Sequence, residues 1–396
     1  MQDSPDLGEH VPPDRTLLGP GPSNIHPRVY SAMAEPVVGY LDDSYVDVMN
    51  DVQVGLRYLF QTENEYTFAV SGTGSAAMET AFTNLVEPGD TVLVPSNGYF
   101  GERMGSVASR AGAEVVTVDA PWGKPLEPDA VEAAFAEHEP EIFGFIHGET
   151  STGVKQTDVA ALTRIAHEYD AYVVADTVAS LGGVEFRTDE WNVDVVYSGS
   201  QKCLSAPPGV SPITFADRAV EKIRARETPV RSWYLDFEGV WEYWGADPSY
   251  HHTGPVSTMY ALREALRMVC EEGLENRWGR HEHVAGALKA GVEEMGAPLA
   301  VADEHWLPSL NAVSVPAGID EDRVIDRLMN EHGIEIVGGL GALEGDIFRV
   351  GCMGHSARPE NVTHFVTAFG NVLKDLGGDV DVDAGIAATA RALGAD

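Results

Sequence analysis

The sequence predicts an α/β protein: a large domain on a mostly parallel, seven-stranded sheet, followed by a smaller C-terminal α+β domain. Three observations carry this. Seven short β-rich runs, TFAV, TVLVP, EVVTV, IFGFI, YVVAD, VDVVYS and SPITF, fall between about residue 67 and residue 215. Most are separated by segments such as SAAMETAFTNLV and DVAALTRIAHEYD, whose apolar residues recur at helical spacing. After a long helical stretch over 256–295, broken near Gly273, the pattern changes to strands (LNAVSVPAG, IEIVGG, DIFRVGCMG) and helices (DEDRVIDRLMNEHG, PENVTHFVTAFGNVLKDL) of a second unit. Strand–helix alternation of the first kind gives a sheet covered on both faces. In such sheets ligands bind at the carboxyl ends of the strands.

The expected boundaries follow from those changes of pattern. An N-terminal arm occupies 1–20, the large domain 21–272, the small domain 273–376 and an acidic tail 377–396. In the tail only a weak helical period follows an acidic turn, and no structure is assigned to it. At 396 residues and 44% hydrophobic content the chain fills two cores.

Charge and cysteine content remove several classes of function. The net charge of −36 is spread along the chain, and only six of the 26 basic residues are lysine. Nucleic acid and anionic membrane are disfavoured as partners, and so diffuse a negative surface suits a salt-rich cytoplasm. The start, MQDSPDLGEHVPPDR, carries neither a basic region nor an apolar core of a leader, so a soluble, cytoplasmic protein is expected. Cys203, Cys270 and Cys352 are too far apart and too few for a disulfide framework or a zinc cluster. His251–His252 and the HEH at 281–283 lack metal-ligand spacing, and no metal is expected.

Three loops at strand ends carry the chemistry. The first, SGTGSAAME over 71–79, runs from a strand into a helix, and its first-turn N–H groups form an anion site. It also satisfies a loose dinucleotide fingerprint. The next strand, however, ends in Pro95, Ser96 and Asn97 rather than in the acidic residue that a ribose needs, which favours a phosphate cradle. Asp176 closes the apolar strand YVVAD and is either a helix N-cap or the partner of a buried cation. Lys202, in YSGSQKCLSAPPG, follows the next strand. A buried lysine loses hydration, its pKa falls, and the neutral amine becomes a nucleophile able to form a Schiff base. Lysine, aspartate and phosphate loop together match what pyridoxal phosphate requires.

With these motifs the chain resembles the class V aminotransferases of the pyridoxal-phosphate fold-type I superfamily. It is most similar to the branch that moves the amino group of alanine or serine to glyoxylate or pyruvate. The matching stretches span nearly the whole chain, from LLGPGPSNIHPR through the SGTGS loop, NGYFGER, HGETSTGV, DTVASLGG, YSGSQKCLSAPPG and YHHT to FRVGCMG. The resemblance implies that Lys202 carries the cofactor as a Schiff base and shuttles the Cα proton, while Asp176 pairs with the pyridine nitrogen. It places Val178 and Phe100 on the two ring faces and Ser151 near the phenolic oxygen. Thr73, Gly74, Ser75 and Gln201 hold the phosphate, with Tyr250 and Thr253 reaching in from the second subunit of a homodimer. Arg349 clamps the substrate carboxylate. Ser75 and Phe100 stand where animal members of the branch have histidine and tryptophan, which leaves the amino donor open.

Two rivals are weaker. A cysteine desulfurase usually shows histidine before the lysine, where this chain reads SGSQK, and its nucleophilic cysteine precedes the arginine, whereas Cys352 follows Arg349. A non-enzymatic regulator built on this fold lacks a basic appendage here.

Overall fold

The computed structural model describes residues 4–118 and 120–394; the extreme ends of the expected arm and tail, 1–3 and 395–396, lie outside the described residues. The seven predicted runs form one sheet: β1 Tyr66–Ser71, β2 Thr91–Pro95, β3 Glu114–Val118, β4 Ile142–Ile146, β5 Tyr172–Asp176, β6 Val195–Tyr197 and β7 Val210–Phe215. Its order is β1-β7-β6-β5-β4-β2-β3, and only β7 runs against its neighbours. The interior strand β4 (IFGFI) is buried along its whole length, as a strand covered on both faces must be. Asp176 is in register with Ile146 on one side and Tyr197 on the other. The carboxyl ends of β4, β5 and β6 therefore meet at one crevice.

Helix α1 (Asp43–Phe60), α2 (Gly74–Leu85, after β1) and α3 (Tyr99–Ala111, after β2) belong to this layer structure. The long helical stretch is two helices, α4 Val256–Glu272 and α5 Leu274–Met295. They part at Gly273, whose φ of 79° suits a residue without a Cβ. Beyond them a second core gathers on the antiparallel sheet β8 Leu310–Ser314, β9 Val337–Gly338 and β10 Ile347–Gly351, ordered β8-β10-β9, and on helix α6 Pro359–Asp375. No helix among the described residues is long and apolar enough to cross a membrane.

Both ends of the chain pack onto the second core. In the arm, Thr16–Leu17 pairs in parallel with Ile334–Glu335, and Leu18 is buried in the second core. The tail folds as helix α7, Val382–Ala392, against α5. The reason is close approach: a Cβ on Gly385 would lie 2.7 Å from the Gly291 carbonyl, and one on Gly291 would lie 3.2 Å from the Gly385 carbonyl. Alanines and glycines leave a weak amphipathic signal but let backbones touch, so contact rather than periodicity makes this helix.

Candidate active site

The loop from Ser198 to Lys202 leaves β6 at the carboxyl edge of the sheet, with Ser198, Gly199 and Ser200 buried and Gln201 and Lys202 half-buried. Lys202 Nζ donates a hydrogen bond to the Pro20 carbonyl, and Gly21 packs on the same side chain. A Cβ on Gly21, whose φ is 116°, would lie 2.6 Å from Nζ. Ser23 Oγ donates to the Lys202 carbonyl at 2.7 Å, so the GPGPS segment forms a cover over the lysine.

Burial is the main reason that the Lys202 ammonium is held down to about 8. The nearby Arg349 and Arg103 cations push the same way, while Cys203 and Asp176 oppose them. Schiff-base formation needs the neutral amine, and below that value its fraction falls tenfold per pH unit. The rate at which cofactor-free protein takes up pyridoxal phosphate is therefore expected to climb with pH and level off above about 8. Stopped-flow absorbance across pH checks this; a rate still rising in proportion to hydroxide above pH 9.5 would contradict a buried lysine of this kind.

Asp176 ends β5, is buried, and accepts the Val178 N–H at 2.8 Å. Burial pushes its carboxyl up to about 6, against the Val178 bond, the Tyr197 phenol and the Lys202 and Arg103 cations. The Tyr197 hydroxyl sits near enough to stabilise the carboxylate, yet it has no partner in hydrogen-bond geometry among the described residues. A buried carboxylate in such surroundings calls for a cation, as a protonated ring nitrogen supplies.

The glycine-rich turn after β1 builds the anion cradle. Thr73 stands at the N-cap of α2 without a side-chain capping bond, and the N–H groups of Gly74 and Ser75 have no protein partner among the described residues. Unmade donors at a helix N-terminus suit a phosphate. The Gln201 amide is likewise uncommitted, with Oε1 buried and unpartnered. Thr73, Gly74, Ser75, Phe100, Asp176, Val178, Gln201 and Lys202 all line one cavity. Amine, acid, anion cradle and two apolar walls thus meet, and the residues present fit pyridoxal phosphate.

Four of the predicted residues are not among those that line this cavity. Ser151 has its hydroxyl committed: its Oγ donates to Glu149 at 2.6 Å and accepts the Tyr99 N–H at 3.0 Å, and the neighbouring Thr150 lines the cavity. Tyr250 is 57% exposed, with its hydroxyl 3.3 Å from Thr253 Oγ1 on the outer surface. Arg349, on β10, is buried, and its Nε donates to the Gly338 carbonyl at 2.6 Å. Its guanidinium makes no ion pair among the described residues, although Glu149 and Glu321 are near enough to support its charge against burial. A buried fork without a carboxylate is what a substrate carboxylate would complete.

Two residues of the site escaped the sequence reading. Arg103, one turn after Phe100 on α3, lines the cavity with its guanidinium 4.8 Å from the Phe100 ring centre. Glu149, just beyond β4, is a charged residue inside a buried run, and that was the available signal. His251 and His252 bond each other at 2.9 Å, and His252 bonds Ser71 at 2.6 Å. No group of metal-ligating side chains occurs among the described residues. Burial pushes the Cys203 and Cys352 thiols up to about 11 and about 12, as inert packing residues require.

Comparison with known proteins agrees with this geometry. The family model for "Aminotransferase class-V" matches residues 27–350. An alanine–glyoxylate aminotransferase of Drosophila melanogaster is 42% identical over 354 residues, covering 88% of this chain and 90% of that protein. The crystal structure of an alanine–glyoxylate aminotransferase from Nostoc sp. is 46% identical, with a TM-score of 0.92 over 93% of this chain and 97% of that one. That of ureidoglycine–glyoxylate aminotransferase from Bacillus subtilis is 38% identical, with a TM-score of 0.95 over 97% and 99%.

Proposed function

The chain belongs to the class V aminotransferases, which makes it a pyridoxal-phosphate-dependent transaminase, and from that premise we propose that it moves the amino group of a small amino acid, alanine or serine, to glyoxylate. One observation carries the assignment of roles: Lys202, Asp176 and the open N-terminus of α2 line a single cavity. The acceptor is better supported than the donor, because the names of the three relatives share glyoxylate and differ in the amino donor. The name of a 38% identical relative from Bacillus subtilis, (S)-ureidoglycine–glyoxylate transaminase, makes (S)-ureidoglycine the second donor to test.

When bound, pyridoxal phosphate supplies an electron sink for the carbanion at the donor's Cα and carries the amino group between substrates. The protein's part divides among residues already placed. Lys202 Nζ is the attachment point, and its depressed pKa lets the released amine act as the base that takes the Cα proton and returns it. Asp176 would hold its negative charge toward the ring nitrogen. The N–H groups of Gly74 and Ser75 would hold the phosphate, and Val178 and Phe100 would supply apolar walls for the ring. Arg349 orients the donor by its carboxylate. The GPGPS cover over Lys202 keeps water from that reaction.

Tyr250 and Thr253 are exposed and adjacent in this chain, which supports a homodimer in which they complete the partner's phosphate site. The net charge of −36 supports a cytoplasm rich in salt.

A half-reaction screen tests the reading. Holoenzyme is mixed with alanine, serine, (S)-ureidoglycine and larger amino acids, at about 0.1 M and about 2 M KCl, and the visible absorbance is followed. Alanine or serine is expected to bleach the cofactor fastest, more so at high salt, and glyoxylate to restore it. Equal rates with every amino acid would refute a small-donor enzyme.

A further inference from the structure

We propose that Glu149 is a positioning residue: its buried carboxylate caps helix α3 from another element and thereby holds the ring of Phe100 over the cofactor. The inference rests on the reading that Phe100 covers one ring face.

Glu149 is 1% exposed. Its Oε2 accepts the Phe100 N–H at 3.0 Å, while Oε1 accepts the Ser151 N–H at 2.9 Å and the Ser151 hydroxyl at 2.6 Å. Ser151 Oγ accepts the Tyr99 N–H at 3.0 Å, so its own proton is free to go to Glu149. Every contact runs toward the carboxylate. Such a pattern satisfies the ionised form even though burial pushes the carboxyl up.

Tyr99 and Phe100 are the first two residues of α3, whose N–H groups have no acceptor within the helix. An N-cap side chain normally supplies one, but the N-cap here is Gly98. A Cβ at Gly98 would lie 2.4 Å from Glu149 Cγ. The capping residue is thus bare where the capping carboxylate arrives from the loop after β4. That carboxylate also sits at the positive end of the α3 dipole. Phe100 lines the cavity and Glu149 does not, so Glu149 acts on the site through the residues it holds. The same carboxylate faces Arg349 and Asp176, supporting the charge of the first and opposing that of the second.

The test is a double-mutant cycle on the dissociation constant of pyridoxal phosphate, added back to stripped protein, with visible circular dichroism of the bound cofactor as a second readout. Glu149→Gln keeps the shape but turns one acceptor into a donor facing an N–H. It is expected to weaken cofactor binding roughly tenfold and to reduce the dichroism. In a Phe100→Leu background that loss shrinks to about twofold or less, because the ring through which Glu149 acts is gone. Phe100→Leu alone checks the premise: an unchanged dissociation constant removes the ring from the site, and this inference with it. Weaker binding in Phe100→Leu, combined with a Glu149→Gln protein that binds like the parent or loses the same factor in both backgrounds, overturns the positioning role alone. If Glu149→Gln does not fold, Gly98→Ala takes its place, since its Cβ displaces the carboxylate while keeping the charge; the same outcomes decide.

Discussion

Replacing Lys202 with alanine is expected to lower the turnover number by roughly 10⁴-fold or more while leaving the protein folded. Both the attachment point and the base disappear in one step. The neighbouring groups offer no substitute: Cys203 has its thiol pushed up to about 11 by burial, and Asp176 is committed to the Val178 N–H. The open N–H groups at the start of α2 do not involve the lysine, so the variant is expected still to take up the cofactor, while borohydride should no longer fix it to the chain. Mass spectrometry after reduction separates the cases. A covalent adduct at another residue, or activity within tenfold of the parent, would show that the amine in this loop is not the reacting one.

The same substitution has an opposite effect on stability. Free in the unfolded chain, the ammonium titrates near 10.5; in the cofactor-free fold it titrates near 8, so burial opposes its charge at neutral pH. Between those values the unfolded chain binds more protons, and stability from this group rises with pH from about 8 to about 10.5. Alanine removes that rise. Chemical denaturation of stripped parent and Lys202→Ala proteins at pH 8 and pH 10 reads the difference, which supports the burial argument independently of turnover.

The parts of the molecule that the sequence exposes are those fixed by local pattern. Seven β-rich runs with helices between them determine where strands end, and Asp176 and Lys202 fall at adjacent ends because β5 and β6 are neighbours. What stays hidden depends on pairing across long separations. Nothing near Thr16 announces its partner Ile334, and the tail helix is made by the approach of Gly385 to Gly291 rather than by an apolar stripe. Orientation within a motif is hidden for a related reason. Thr150 lines the cavity, while the Ser151 hydroxyl is committed to Glu149. A buried carboxylate with three donors organises its loop more strongly than the small residues around it, and no spacing rule reports its partners.

Arg349 sets the second large effect. Arg349→Gln is expected to lower kcat/KM for the amino donor on the order of 10²-fold or more, mostly through KM, with the affinity for pyridoxal phosphate little changed. The guanidinium is buried, anchored by one bond from Nε to the Gly338 carbonyl, and makes no ion pair among the described residues. A carboxylate arriving there would meet the remaining N–H donors of a buried guanidinium, which is why the interaction is expected to be stronger than a surface pair. Lysine at this position keeps the charge but not the fork and is expected to recover only part of the loss. The control is an amine of the same size without a carboxylate. It reacts slowly with the parent enzyme, and its rate should be the same in parent and Arg349→Gln proteins, because it never uses the clamp. If the variant slows that amine as much as it slows alanine, Arg349 acts on the cavity as a whole and the carboxylate clamp is refuted. If alanine alone is penalised, the acceptor glyoxylate should show a matching rise in KM, since its carboxylate must occupy the same fork when the amino group is returned.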